Sequence, residues 1–244
     1  MEFGIEQNAA AIYALEQQQA IISHNLACSC VRGYQAQVVG VEGKNNGVCN
    51  FDEMKSMART KPIVKSAINR QSGTFECTHV PTDVAIRGGG FFKVQNGDGT
   101  FSFTRDGSFH FDANGLLSDA MGRTVVGEGG RIQSENAGDP IFINSNGDVF
   151  EGDQQIGTLV AFKLSDQVQR APHANYNAYE AQNILPDESV RFESGFLERS
   201  NVSPLREMVS MIQVSNAHEA NCSLIRQLDN TLGEVVQTLG NNNG

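Results

Sequence analysis

Arg105, Asp106, His110 and Asp112 stand close together in the chain, across what reads as one hairpin. A carboxylate beside an imidazole is the pair that hydrolases use to move a proton. Such a pair needs a nucleophile, and no Gly-x-Ser-x-Gly segment supplies one. A hydrolase built on Asp106 and His110 is therefore the enzymatic alternative, and a protein without catalytic residues is the expectation. Asp112-Ala-Asn114-Gly115 opens like a calcium loop, but Leu116-Leu117 follows where further oxygen ligands and a closing Glu belong, so a hairpin turn is expected. Asn144-Ser-Asn146-Gly147-Asp148 reads the same way. Gly88-Gly-Gly90 precedes strand-like Phe91-Phe92-Lys93-Val94, not a helix, so it reads as a bend within a sheet instead of a phosphate loop.

Metal and cofactor chemistry finds no footing either. The 5 His residues (His24, His79, His110, His173, His218) have no ligand spacing. The 5 Cys residues (Cys28, Cys30, Cys49, Cys77, Cys222) form neither an even disulfide framework nor a pair of zinc-type Cys-x-x-Cys motifs. No cofactor and no metal are expected.

Composition narrows the partners. A formal net charge of -10 without a basic run argues against nucleic acid. No run of apolar residues is long enough to cross a bilayer, so no direct membrane insertion is expected. The first residues, Met1-Glu-Phe-Gly-Ile-Glu-Gln-Asn, lack the basic and apolar regions of a Sec-type signal. The 244 residues suffice for one large or two modest domains, and 25 glycines favour turns and β-structure.

The elements that position these residues follow from periodicity. From residue 5 to 28, Ile5, Asn8, Ile12, Leu15, Gln19, Ile22 and Leu26 alternate at steps of three and four, which predicts a helix with a narrow seam, with Gly33 after its end. Near the other end a second seam runs through Met208, Met211, Ser215, His218, Cys222, Ile225, Asp229, Leu232, Val236 and Leu239. Ser203 before Pro204 is a strong start signal for that helix. Between them, residues 81 to 165 hold about eight short alternating runs. Turn dipeptides separate the runs: Asn96-Gly97, Asp98-Gly99, Asp106-Gly107, Asn114-Gly115 and Asn146-Gly147. These predict an antiparallel sandwich or rolled barrel. Weak strands are expected around Tyr176 to Tyr179 and Val190 to Phe192. The fold class is mixed α and β: N- and C-terminal helices forming a coiled-coil-like assembly element, with an inserted antiparallel β-domain. The expected division is 1–33 (assembly helix), 34–80 (extended linker), 81–195 (β-domain) and 196–244 (assembly helix). Two helices with narrow seams need other helices, so the chain reads as built to assemble; a secreted β-domain adhesin or binding module with dimerising ends is the alternative of another class.

Three separated motifs carry a resemblance. His24-Asn25-Leu26-Ala27 with Gly33-Tyr34 lies near the start. Gly90-Phe-Phe-Lys-Val, Phe103-Thr104-Arg105-Asp106-Gly107-Ser108-Phe109, Asp112-Ala-Asn-Gly115-Leu-Leu and Val125-Val126-Gly127 lie in the middle. Gly195-Phe-Leu-Glu198-Arg-Ser200-Asn201-Val202, Glu207-Met208-Val-Ser-Met211-Ile212 and Glu219-Ala-Asn221 close the chain. In this order they resemble the bacterial flagellar rod and hook axial proteins. Cys28, Cys30 and Arg32 depart from the family pattern. The resemblance implies a structural subunit of the basal-body rod, polymerising with itself and other rod proteins into a helical, torque-transmitting tube. It implies terminal helices in an inner coiled-coil-like layer, an outward β-domain, and export by the flagellar type III apparatus without a cleaved signal. The proximal rod is favoured, with a distal-rod or hook-type subunit as alternative. The assembly interface is expected at Ile5, Ile12, Leu15, Ile22, Asn25, Leu26, Asn201, Val202, Met208, Met211, Ile212, Cys222, Ile225, Leu232, Val236 and Leu239.

Overall fold

A computed structural model describes residues 2–41, 64–134, 140–164, 169–170, 178–180, 184–187 and 189–241. The chain forms two compact units. One comprises Met1–Ala27, Gln37–Ile68 and Ser203–Gly244; the other comprises Cys28–Ala36 and Asn69–Val202. Strands Gln37–Val41 and Val64–Ile68 group with the helices, and the short Cys28–Ala36 segment groups with the β-structure.

In the first unit, helix α1 spans Glu2–Ala27 and helix α2 spans Pro204–Asn241. α2 starts at the proline that the sequence marks, and the Glu207 amide donates to the Ser203 carbonyl as the first turn closes. The two helices pack together, and Ile22 of α1 and Val214 of α2 are buried. A two-stranded antiparallel ribbon, Gln37–Val41 with Val64–Ile68, completes the unit.

The covered face of α2 is a heptad, but not quite the expected one. Met211, His218, Ile225 and Leu232 lie on it, partly covered, as read from the spacing. The second column is Val214, Asn221 and Leu228, with Cys222 beside it, while Ser215 and Asp229 are exposed. Steps of three-then-four and four-then-three are equally helical, so periodicity alone leaves the register open by one residue. The chemistry chooses: Val214 and Leu228 bury more favourably than Ser215 and Asp229. On α1, Ile12, Leu15 and Leu26 are partly covered and Gln19 is exposed. The side chains of Ile5, Val236 and Leu239 lie outside the described residues.

The second unit is built from short antiparallel strands. Its largest sheet has ten strands, with a main path through Gln169–Arg170, Ala178–Glu180, Phe101–Thr104, Phe91–Gln95, Thr124–Gly127, Leu117–Asp119 and Phe109–Phe111. Phe91–Gln95 lies inside the sheet, and both its faces are covered. Phe92 and Val94 enter the main core with Val84, Ile86, Leu117 and Val125, while Phe91 stands edge-on to Tyr179 at 5.4 Å on the other side. Strands Gln154–Thr158 and Ala161–Lys163 follow one another closely. Leu117–Asp119 is a strand that the turn-based reading passes over, because Leu116-Leu117 is too short to show alternation.

The turns share one construction. In Asp112–Gly115, Asp119–Gly122 and Asn144–Gly147 the first side chain's Oδ1 accepts the backbone amides two and four residues on, at 2.8–3.0 Å. The glycine has positive φ in each, 73°, 76° and 97°. The Asx oxygen satisfies the turn and the glycine supplies the left-handed residue. The calcium-like look of Asp112 and Asn144 is thus turn chemistry, as expected. Asp106-Gly107 is different: Gly107 is not among the positive-φ glycines, and a Cβ there would overlap the Val84 carbonyl oxygen. Its glycine serves close backbone approach, not turn handedness.

Candidate functional site

Arg105 is the centre of the β-unit's polar architecture. It follows strand Phe101–Thr104, and its side chain is 0% exposed. Nε donates to Glu198 Oε2 at 2.7 Å, Nη1 to the Gly90 carbonyl at 2.8 Å, and Nη2 to the Gly88 carbonyl at 2.9 Å and Ser72 Oγ at 3.2 Å. The guanidinium also lies 5.5 Å from the Phe91 ring centroid. Glu198 is equally buried and its Oε1 accepts the Gly73 amide at 2.9 Å. A buried guanidinium is tolerable only when its donors are met, and the planar fork meets a carboxylate and three carbonyls, the third that of Ile86 at 3.3 Å, in one place. The Gly88–Gly90 bend is therefore not idle. It turns its carbonyls inward onto Arg105.

Glu198 lies on strand Phe196–Glu198, which pairs with Phe75–Cys77, so the ion pair fastens the closing segment of the unit to its centre. Three residues later Asn201 makes a second fastening. Its Oδ1 accepts the Ala36 amide at 2.7 Å, and Nδ2 donates to the Asn69 carbonyl at 2.9 Å and the Gln71 carbonyl at 2.8 Å. Val202 buries beside it with Cys28, Tyr34 and Ala36. Gly33 is held here too, its amide donating to the Glu198 carbonyl at 2.9 Å. It has φ of 65°, and a Cβ would overlap the Asp106 amide nitrogen. Gly33 stands well beyond the end of α1 at Ala27, as a contact glycine and not a helix terminator.

Within the first unit Asn25 repeats the device. Oδ1 accepts the Gln37 amide at 2.9 Å and Nδ2 donates to the Gln37 carbonyl at 2.8 Å, so one carboxamide pairs with both backbone groups of one residue as an antiparallel strand would. Both asparagines that the sequence singles out are thus engaged inside the chain, as are Ile22 and Val202. Met208 and Ile212 are exposed. Sequence reasoning missed Arg105 and Glu198 as partners because 93 residues separate them. The only signal available was Arg105's place in a compact motif rich in glycine and hydroxyl groups.

Asp106 Oδ1 accepts the Ser108 amide at 3.1 Å and the Ser108 hydroxyl at 2.7 Å, and His110 is exposed. Burial pushes the Asp106 carboxyl above its ordinary range, against the Ser108 bonds and the nearby Arg32 charge. A carboxyl raised on folding contributes stability that is full below its unfolded pKa and is lost as pH rises through the folded one. Asp106→Asn keeps the oxygen acceptor and cannot ionise. In urea titrations its midpoint is expected to gain on the wild type as pH rises from 4 toward 7, roughly in step with carboxylate ionisation. A gap that stays constant with pH would refute the assignment.

Residues 85–151 match the family model of the flagellar hook protein FlgE/F/G D1 domain, and residues 193–238 match that of the flagellar basal body rod FlgEFG protein C-terminal region. The chain is 30% identical over 246 aligned residues to the flagellar basal-body rod protein FlgF of Mesorhizobium japonicum, covering 95% of both chains. The chain belongs to the flagellar basal-body rod protein family. Identity to the FlgF protein of Salmonella typhimurium is 29%, over 91% of this chain and 92% of that one. To the FlgG rod protein of Buchnera aphidicola it is 32%, over 89% and 92%. This family member is a structural subunit of the bacterial flagellar basal body, assembling with other rod components. The D1 match contains Arg105 and the C-terminal match contains Glu198 and Asn201. The buried ion pair therefore joins the two matched segments across the intervening 152–192. No described helix is long and apolar enough to cross a membrane.

Proposed function

We propose that this rod subunit polymerises through its terminal helices into a torque-transmitting tube, with the outer face of α2 as the contact to neighbours. One observation carries the reading. Leu205, Met208, Val209 and Ile212 recur at helical spacing on α2 and are exposed, Leu205 by 72% and Ile212 by 61%. They form an apolar stripe beside the face that packs on α1, so α2 is amphipathic twice over. A helix apolar on two faces calls for more than one partner, and a subunit that assembles helically provides one. The inner, coiled-coil-like layer belongs to this proposal, as do the outward β-unit and export by the flagellar type III apparatus. FlgF-type relatives matched over nearly the whole chain support the proximal rod; a distal-rod or hook-type position is the alternative.

Ile212→Asp tests the contact. The side chain is exposed in the single chain, so the isolated variant should keep the wild-type unfolding midpoint. Burial of an isoleucine contributes about 1.5–3 kcal/mol per contact, and a buried charge removes that and adds a desolvation cost. The variant should be exported but absent from purified basal bodies, leaving cells non-motile. Normal swimming, or normal incorporation, would overturn the proposed interface.

A further inference from the structure

The outer face of α2 continues beyond its apolar stripe. After Leu205, Val209 and Ile212 the same helical spacing runs on through Asn216, Ala220 and Ser223, all exposed. There the surface holds a groove of about 410 Å³, lined by Asn216, Glu219, Ala220, Cys222, Ser223 and Arg226. The six form two overlapping sets at i, i+3, i+4 and i+7: Asn216, Glu219, Ala220 and Ser223, then Glu219, Cys222, Ser223 and Arg226. Four residues so spaced are the hole that receives one side chain of a facing helix. The first hole has small residues, Ala220 and Ser223, and a polar rim. Glu219 and Arg226 form no ion pair among the described residues, and the Asn216 side chain no hydrogen bond.

A hole of this kind takes a knob, and α1 carries one. Among the described residues of α1, Tyr13 is the exposed large apolar side chain, at 49%. Ala9, Gln17 and Ala20 follow it along the same outer face, also exposed. Small residues around one ring let a facing helix come close. Tyrosine suits this groove in particular: the ring gains apolar cover, and the hydroxyl needs a partner. Asn216, Glu219 and Arg226 offer acceptors and donors at the rim. The level fits as well. Glu16 Oε1 of α1 lies 3.9 Å from His218 Nε2 of α2. His218 falls inside the stretch 216–226 that lines the groove, and Tyr13 is one turn from Glu16, about 4.5 Å along the axis. Knob and groove are both exposed in the single chain, so the contact lies between copies. A neighbour reached mainly by rotation about the assembly axis brings its Tyr13 to this level.

We propose that Tyr13 of one copy seats in the 216–226 groove on α2 of the adjacent copy, with its ring over Ala220 and Ser223 and its hydroxyl at the Asn216 and Glu219 rim. The occupant is thus a second copy of this chain. The contact is heterologous: each copy offers a knob on α1 and a groove on α2, so it repeats from copy to copy where a two-fold contact would stop at a dimer. The inference rests on the helix-driven assembly proposed above and gives it a seat and an occupant.

Competition in purified basal bodies tests the seat. Each variant is coexpressed with the wild-type chain, and peptide mass spectrometry compares their ratio in basal bodies with that in the exported, unassembled pool. Tyr13→Ala is expected to be under-represented about tenfold. Tyr13→Phe keeps the ring and should recover most of the loss. Ala220→Trp fills the groove and should be excluded as strongly as Tyr13→Ala. Both positions are exposed in the single chain, so the isolated variants should keep the wild-type urea midpoint, which separates the contact from folding. Azidophenylalanine, photoreactive and close to tyrosine in size, is placed at position 13 for a direct readout. Irradiated basal bodies should then yield dimers of this chain with the adduct on residues 216–226. Wild-type incorporation of Tyr13→Ala or Ala220→Trp, or an adduct on another segment or another rod protein, would overturn the proposal. If Ile212→Asp is excluded while these variants incorporate normally, the seat falls and helix-driven assembly stands. Normal incorporation of Ile212→Asp overturns both.

Discussion

Arg105→Ala is expected to destabilise the β-unit by about 3–5 kcal/mol, the largest effect of any single substitution proposed for this chain. Glu198 would remain buried as an uncompensated carboxylate, and the inward carbonyls of Gly88 and Gly90 would lose their donor. Urea unfolding followed by circular dichroism measures the loss, since the chain has no Trp. Arg105→Lys keeps the charge but not the fork, and should recover only part of it. Pairing Arg105→Met with Glu198→Met should cost less than the two single changes summed, because neither charge is then stranded. The exposed Arg199–Glu76 pair, 3.6 Å apart, is the control, and breaking it should scarcely register. If Arg105→Ala behaves like that control, the buried pair is not what holds the closing strand.

Asn201→Ala comes second, at about 2–3 kcal/mol. It removes an acceptor from the Ala36 amide and a donor from the Asn69 and Gln71 carbonyls. Asn201→Asp is expected to be at least as damaging, since a carboxylate presents an acceptor where two carbonyls need a donor. Hydrogen exchange gives a local readout: the Ala36 amide should exchange faster in Asn201→Ala by more than the global loss of stability explains. Ala36 protection falling only in step with global stability would mean that the clamp is not local. Asn25→Ala offers the parallel experiment at the Gln37 amide.

Much of the fold is legible in local pattern. The helices are declared by periodicity and by Ser203-Pro204, and most of the strands by alternation between Asx-Gly turns. Those signals concern residues a few positions apart, where backbone geometry dictates what can neighbour what. The misreadings also have local causes. A one-residue choice between Val214 and Ser215 is invisible to spacing, and Asp106-Gly107 looks like any other turn until Val84 is placed against it. Asn25 and Asn201 stand out in the sequence without revealing their work, because a carboxamide can cap a helix, face a neighbour or pair with a peptide.

By itself the sequence determined the family, the terminal helices with strands between them, and an acidic net charge. These rest on contiguous motifs and on period, which survive without knowledge of any distant contact. Only the tertiary structure decided that Arg105 pairs with Glu198 across 93 residues. It also decided that the asparagine motifs turn inward, that strands Gln37–Val41 and Val64–Ile68 group with the helices, and that α2 keeps a second apolar face exposed. Burial and long-range partnership are properties of the packed chain. Desolvation makes a charge or an amide dependent on one particular partner, and nothing in the linear order of residues says which partner that will be.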